Sequence, residues 1–518
     1  MNDILIGIDA GTSVIKAVAF NLKGEQLAVS ARRNSYVSVE SGGVEQEMER
    51  TWTDTAETLK DVVAQLDSGR VAAIAVTGQG EGTWLVDSIG KPVAPALLWL
   101  DARAAEIVES LEQAPEARRR FEITGTGLAA CQQGPQLAWL KQHDPERLKQ
   151  ADTAFHCKDW LYYRLTGKLA TDPSEGIFTF GDFRKKAYSF EVLEILGLGD
   201  CQELLPEIVE GTQHADGLLG EVANSCGLPS GTPVVLGYVD VICTALGAGL
   251  YDPQVSTGCT IIGSTGMHMR LASCVEEVGL NEESTGYTIV FPVEGTYAQM
   301  QSNLAGTLNI DWMLDLALDV LASQGVSRKR LDLLEGLDER ILGAPPAEML
   351  FHPYISRGGE RGPFIDADAR ASFIGLNTTH GYFDLIRGVY EGLALAARDC
   401  YESAGGVPQE VRLSGGAAKS KALRSIFGSV LKTRIRTSSR GEAGATGAAM
   451  MAAVSIGLYA DMNTCANSWA KPYLGVVEDF DESVAQIYDS VYATYVEARK
   501  AFKPVWKSLK AVKGTVGH

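Results

Sequence analysis

The sequence predicts an α/β protein of two large domains, and three observations carry that prediction. At 518 residues the chain exceeds what one ordinary core organises. Its opening reads strand, strand, strand, helix, strand, which is α/β without the simple βαβ alternation of a Rossmann unit. A strand, a glycine- and hydroxyl-rich bend and a returning strand occur at the amino terminus and again, more faintly, near the middle.

Taken in order, ILIGID is followed by AGTS, VIKAVAF, the turn NLKGE and QLAVSA, which predicts hairpin-connected strands. TWTDTAETLKDVVAQL, Thr51 to Leu66, has helical patterning, with Thr51 or Thr53 as its cap. VAAIAVTGQGEGTWLVD predicts a buried strand, a glycine-rich loop and a second strand. STGCTIIGSTGMHMRLA, residues 256–272, repeats the strand–bend–strand theme. It indicates either a duplicated domain facing the first across a cleft or a chance recurrence of short glycine turns. On the duplicated reading the boundary falls between about Val241 and Asp252, dividing the chain into 1–245 and 246–518. YFDLIRGVYEGLALAARDCYES then predicts a long helix, EVRLSGGAAKS a strand ending in a Gly-Gly turn, and AGATGAAMMAAVSIGLYA an alanine-rich helix.

Composition narrows the function. Charged residues are 21% and hydrophobic ones 45%, the balance of a globular protein with its own core. A formal net charge of −19 argues against nucleic-acid or anionic-membrane partners, which want clustered Lys and Arg. ARRR at 117–120 lacks interleaved aromatics and reads as a solvated helix face. Nine cysteines without a C-x-x-C pair suit reduced thiols, and seven histidines without H-E-x-x-H spacing give no built-in zinc site. No basic-then-apolar leader precedes the first strand, so the expected compartment is the cytoplasm. The uncharged stretch Ala443 to Ala460 is 18 residues long, but its Ala and Gly suit a helix packed inside a protein better than one in lipid.

The chemistry starts at GIDAGTSVIK. Amides and hydroxyls of Gly11, Thr12 and Ser13 can converge on phosphate oxygens, but Asp9 beside them would repel phosphate unless a cation lies between. That combination suggests Mg²⁺ over a polyphosphate, held by Asp9 through waters, with Lys16 adding positive charge. A hairpin with an Asx-type turn is the alternative. No G-x-x-x-x-G-K-[ST] loop is present, and GTGLAA at 125–130 lacks the strand and helix that a dinucleotide turn requires.

Together, GIDAGTSVIKAVAF, TGQGEGTW, LLWLDAR, GYVDVICTALGAG, IIGSTG, SRGGERGPFIDADARASFIGL and LSGGAAKSKALRSIFGSVL resemble the FGGY carbohydrate kinases of the actin-like ATPase-domain superfamily. The blocks keep the family's order from residue 4 to about 460. The resemblance implies two ribonuclease-H-like domains hinged around an ATP cleft, and it accounts for the duplication. Asp9, Gly11, Thr12 and Ser13 match the family's first phosphate motif; Gly263, Ser264 and Thr265 match the second, with serine at 264 where threonine is usual. Gly415, Gly416 and Ser420 match the loop that holds adenosine and its phosphates, and Gly306 lies in a block that approaches nucleotide. Asp240 matches the catalytic base. It stands between apolar stretches without a basic neighbour, so desolvation would raise its pKa and improve it as a proton acceptor. Apart from the family, a helix-capping or core-bonded Asp is the better reading there.

The substrate side departs from the pattern. Gln79 and Glu81 match a substrate-contacting Gln-x-Glu, with Gly80 where glycerol kinases place arginine, and Trp99 matches a substrate wall ahead of Asp101 and Arg103. CQQGPQLAWLKQ puts Cys131, Gln133 and Gln136 at positions where other residues are usual, keeping Trp139, and Gly388 replaces a usual Ala or Ser. Without a positive charge at 80, and with amides at Gln132 and Gln133, a neutral polyhydroxylated substrate read by hydrogen bonds is implied. Glu360 and Arg361 are expected to form a loop ion pair that orders the domain. The resemblance thus implies an ATP- and Mg²⁺-dependent kinase acting on a primary alcohol of a small polyol or sugar. The N-terminal half is similar to members acting on erythritol, leaving xylulose, ribulose, glycerol and other alditols as alternatives. Its partner is the small-molecule substrate, without nucleic acid or membrane, and a homodimer is left open. Rival readings are a non-catalytic ATP-switch protein of the same superfamily and a dehydrogenase built on 125–130.

Overall fold

Two six-stranded sheets organise the chain in this computed structural model, which describes residues 3–515. The first contains β1 (Ile4–Ala10), β2 (Val14–Asn21), β3 (Gln26–Arg33), β4 (Val71–Gly78), β5 (Asp216–Gly217) and β6 (Pro233–Leu236), in the spatial order β5-β6-β4-β1-β2-β3. β1, β2 and β3 form an antiparallel meander, whereas β4 and β6 run parallel to β1. The long apolar runs of β1 and β4 follow from this placement, because both strands are covered on both faces.

Around that sheet lie α1 (Met48–Val63), α2 (Cys157–Thr166), α3 (Pro173–Phe180) and α4 (Asp240–Gly247). α1 begins three residues before the expected cap. Thr51 and Thr53 donate their hydroxyls to the carbonyls of Glu47 and Glu49 one turn back, so neither caps the helix. Residues 79–215 leave the sheet between β4 and β5, and α3 within them brings Glu175 and Phe178 to the wall of the cleft.

The second sheet contains β7 (Thr257–Ile262), β8 (Gly266–Ala272), β9 (Tyr287–Val290), β10 (Tyr297–Asn303), β11 (Glu410–Ser414) and β12 (Arg434–Thr437), ordered β9-β10-β8-β7-β11-β12. Its β7, β8 and β10 repeat the antiparallel meander, and β11 and β12 the parallel extension. The expected duplication is therefore a duplication of topology. α5 (Leu308–Ser323), α6 (Tyr382–Ser403), α7 (Lys421–Leu431), α8 (Ala443–Ser455) and α9 (Glu482–Thr515) complete this half. The 245/246 division expected from the sequence falls in the last turn of α4.

α8 is the alanine-rich segment, and it is buried as expected. No described helix is long and apolar enough to cross a membrane. α8 crosses back to the first sheet and packs against β1 and α4. One apolar cluster runs from Leu5, Val18 and Ala75 through Ile242 and Ala448 to Cys259 and Met269 of the second sheet. Small residues permit this crossing: a Cβ on Gly7 would lie 2.0 Å from the carbonyl oxygen of Ala445, and one on Gly447 2.0 Å from that of Cys243. Backbone cannot yield as a flexible side chain can, so Gly447→Ala should cost roughly 1–3 kcal/mol in urea unfolding. Gly343→Ala, at a helix end with nothing within 4 Å of the added Cβ, should be neutral or slightly stabilising. Equal midpoints for the two variants would contradict this packing.

Candidate active site

β1, β4 and β6 end side by side, and the segments that leave them form one side of a cleft. This is the carboxyl end of the parallel strands, where open α/β sheets place their ligands. Asp9 is the penultimate residue of β1, opposite Lys16 on β2. In the bend that follows, the Gly11 amide donates to Val14 O at 3.1 Å. Asn34, which sequence reasoning passed over, pins the bend by donating its amide to Ser13 O (2.9 Å) and its side chain to Gly11 O (3.0 Å).

The Thr12 hydroxyl accepts from Trp99 Nε1 (2.8 Å) and donates to Gln79 Oε1 (2.9 Å). Gln79 in turn donates to Gln46 Oε1 at 2.7 Å. Trp99 is thereby held in the lining of the cleft.

The cleft measures about 310 Å³ and brings together Thr12, Glu81, Trp99, Asp240 and Thr265. The amino-terminal and mid-chain bends therefore face each other across one space. Asp240 opens α4, where the helix N-terminus favours its charge. Burial, reinforced by the carboxylates of Asp9, Glu175 and Glu81, nevertheless pushes its pKa well above the usual carboxylate range. Asp9 is pushed up to about 6, chiefly by burial, with Lys16 opposing and Glu442 adding to the rise. Its Oδ2 lies so near the start of α8 that a Cβ on Gly444 would come within 2.3 Å. Lys16 donates to Glu442 at 2.7 Å, so its expected positive charge is paired.

Behind Asp240 lies a buried charge cluster that no motif announces. Lys158 is fully buried between Asp159 (2.6 Å), Glu175 (3.3 Å) and Asp172, and His156 lies 3.1 Å from Asp159. Ser174 links the cluster to the base: its hydroxyl donates to Asp172 and accepts from the amide of Val239, the residue before Asp240. Glu175 accepts the amide of Glu81 at 2.6 Å. Glu81 itself has φ of 59°, a conformation costly for a non-glycine residue. Its carboxylate is held by Tyr287 Oη (2.9 Å) and Cys131 Sγ (2.9 Å).

The second bend is held by the Gly306 turn. Gly306 N donates to Ser264 O and Thr307 N to Gly263 O, both at 2.7 Å. A Cβ on Gly306 would lie 2.5 Å from Gly263 O, so glycine is required for the close approach. Ser264 and Thr265 are exposed. Gly415, at φ of 91°, follows β11 and packs on Ile262 O, which sets the Gly415–Gly416 loop beside this bend.

Several expected contacts are not brought to the cleft. Gln79 is buried and its amide is used by Thr12 and Gln46, so it positions the wall. Gln132 accepts from Ala129 N and donates to Gly127 O, and Gln133 donates to Phe155 O. Both are buried at the start of a helix whose neighbouring backbone groups claim their amides. Ser420 caps α7 and donates to Asp338 at 2.6 Å, so its hydroxyl is engaged in the helix start. Glu360 and Arg361 do not form the expected ion pair. Glu360 takes the amides of Leu304 and Arg361, with burial raising its pKa to about 7, while the Arg361 side chain lines the cleft. Asp101 and Arg103 form a structural pair with Glu45. The 125–130 turn leaves a helix through left-handed Gly125 instead of joining strand to helix, which removes the dinucleotide reading. Glu175, Phe178 and Tyr287 join the site without any sequence signal, and Arg361 joins it in place of its expected ion pair.

Residues 4–247 match the family model described as FGGY family of carbohydrate kinases, N-terminal domain, and residues 259–456 match the corresponding C-terminal domain. The chain is 50% identical over 513 residues to erythritol kinase of Brucella abortus (strain 2308), covering 99% of this chain and 98% of that protein. It is 30% identical to xylulose kinase of Escherichia coli (strain K12), covering 87% and 90%. Gluconate kinase from Lactobacillus acidophilus shares the fold, with a TM-score of 0.86 at 22% identity over 98% of this chain and 99% of that one.

An acid whose folded-state pKa is raised weakens the fold as pH climbs from its unfolded value, about 3.9 for Asp, towards its folded one. Asp240→Asn should therefore melt above the parent at pH 7, and the gap should close as pH falls towards 4, where the carboxyl is protonated in the parent's unfolded chain as well. Thermal melts across this range check the sign; a variant melting below the parent at pH 7 would contradict it.

Proposed function

The chain belongs to the FGGY family of carbohydrate kinases, and on that footing we propose that it transfers the γ-phosphoryl group of ATP to a primary hydroxyl of erythritol. One observation carries the chemistry: both glycine-hydroxyl bends, the Asp240 carboxylate and the Glu81–Trp99 wall line a single cleft. The tetritol follows from the 50% identity to the Brucella abortus erythritol kinase, against 30% to a xylulose kinase.

In this reading the substrate's primary hydroxyl meets Asp240, which removes its proton as the oxygen attacks phosphorus. The raised pKa matches that task, since a stronger base competes better for an alcohol proton. Glu81 accepts hydrogen bonds from the remaining hydroxyls, and Trp99 covers the carbon chain. The Gly11 and Gly263 amides close the two bends on Val14 O and Thr265 O, which leaves the amides of Thr12 and Ser13 and those of Ser264 and Thr265, with the Ser13, Ser264 and Thr265 hydroxyls, to hold phosphate oxygens, while Gly306 and Gly415–Gly416 shape the nucleotide side. Closure of the two domains would exclude water, the competing acceptor.

Mg²⁺ fits Asp9. The carboxylate has no hydrogen-bond donor among the described residues and faces like charge at Asp240, and Lys16 is spent on Glu442. Bound there through waters, the ion would offset phosphate charge. We assign residues 1–245 to the substrate side and first phosphate motif, and 246–518 to the nucleotide side. The cytoplasm suits an enzyme that draws on ATP and whose nine cysteines are all unpaired.

The test is ADP release on a panel of four- to six-carbon polyols and ketoses. One polyol, erythritol, should dominate, and Asp240→Asn should lower kcat by roughly 10²- to 10⁴-fold. ADP release at equal rates with every compound, and with none, would overturn the kinase reading.

A further inference from the structure

We propose that Arg361 is a substrate-binding and specificity-determining residue: its guanidinium donates to the polyol's far hydroxyls opposite Glu81, supplying from the second domain the cation that position 80 lacks. The proposal rests on the kinase reading above and adds which group measures the length of the acceptor.

Position 80 cannot carry that cation without rearrangement. A Cβ there would lie 2.5 Å from Val239 Cγ2 and 3.2 Å from Glu175 Oε1. Arg361 reaches the same cleft from a loop of the C-terminal half. It is exposed, and among the described residues its guanidinium has neither an ion-pair nor a hydrogen-bond partner. Its neighbour Glu360 is buried, with Oε1 taken by the amides of Leu304 and Arg361, and forms no ion pair with the guanidinium. The guanidinium lies near enough to Cys131 and Tyr287 to oppose ionisation shifts at both, and these are the two groups that hold the Glu81 carboxylate. It therefore stands at the Glu81 end of the cleft. Gly127, Leu128 and Ala129 flank it on the far side, where a recess of about 60 Å³ continues the cleft.

The chemistry is complementary. A vicinal diol can donate both protons to a carboxylate while its oxygens accept from a guanidinium, whose planar fork presents several N–H groups at once. Glu81 retains lone pairs after accepting from Tyr287 and Cys131. A three-carbon polyol with its reacting hydroxyl at Asp240 leaves fewer hydroxyls for this bracket, so the arginine should discriminate by chain length.

The experiment compares Arg361→Gln and Arg361→Lys with the parent on erythritol and on glycerol, with ATP varied separately. For Arg361→Gln, KM for erythritol should rise roughly 10- to 100-fold with kcat within about 3-fold, and kcat/KM for glycerol should change less than about 3-fold. Arg361→Lys should recover part of the erythritol KM, and KM for ATP should stay put. Equal losses on both polyols, or a rise confined to KM for ATP, would overturn the assignment while leaving the kinase reading intact. A parent enzyme that phosphorylates no polyol would overturn the kinase reading itself.

Discussion

Lys158 is the charge on which the acidic wall of the cleft depends. It is fully buried, as are Asp159, Asp172 and Glu175 around it. A lone ammonium there would shed its proton, but these carboxylates hold its pKa well above the usual value against the pull of burial. Two chains of hydrogen bonds leave the cluster. One runs through Asp172 and Ser174 to the amide of Val239, next to the base; the other runs through Glu175 to the amide of Glu81. One cation thus sets the positions of both carboxylate-bearing segments that face substrate. Removing one member of such a buried set typically costs about 3–5 kcal/mol, because the remaining charges lose their partner.

The same arrangement makes Asp240 a capable base. Its partial burial at the cleft wall and the like charges of Asp9, Glu175 and Glu81 all oppose its ionisation. A site that concentrates like charge is unstable by itself, and the rest of the fold offsets that cost. The α4–α8 crossing does much of this. Its glycines and alanines let backbone meet backbone, and the shared apolar cluster ties the two sheets together directly behind the cleft.

Much of this was legible in the sequence. The bends at Gly11–Ser13 and Gly263–Thr265, the topological duplication, the buried alanine-rich helix and the exposure of Asp240 to the cleft all follow from local pattern or ordered motifs. What sequence missed is set by long-range pairing. Gln79 meets Thr12 across 67 residues, and Ser174 meets Val239 across 65. No periodicity encodes either. The expected ligand roles of Gln132, Gln133 and Ser420 come from the family resemblance, which does not say what else those side chains meet. Each is instead taken up by nearby backbone at a helix start. Glu360 and Arg361 adjoin with opposite charges, which predicts a pair, yet Glu360 Oε1 takes two backbone amides and no ion pair forms between the two side chains.

A crystal of the enzyme with a non-hydrolysable ATP analogue, Mg²⁺ and erythritol tests the central claim most directly. A primary hydroxyl oxygen should lie roughly 2.6–3.2 Å from an Asp240 carboxylate oxygen, with the terminal phosphate between the Thr12 and Thr265 bends. Erythritol bound outside this cleft, or an Asp240 carboxylate turned away from every substrate hydroxyl, would contradict it.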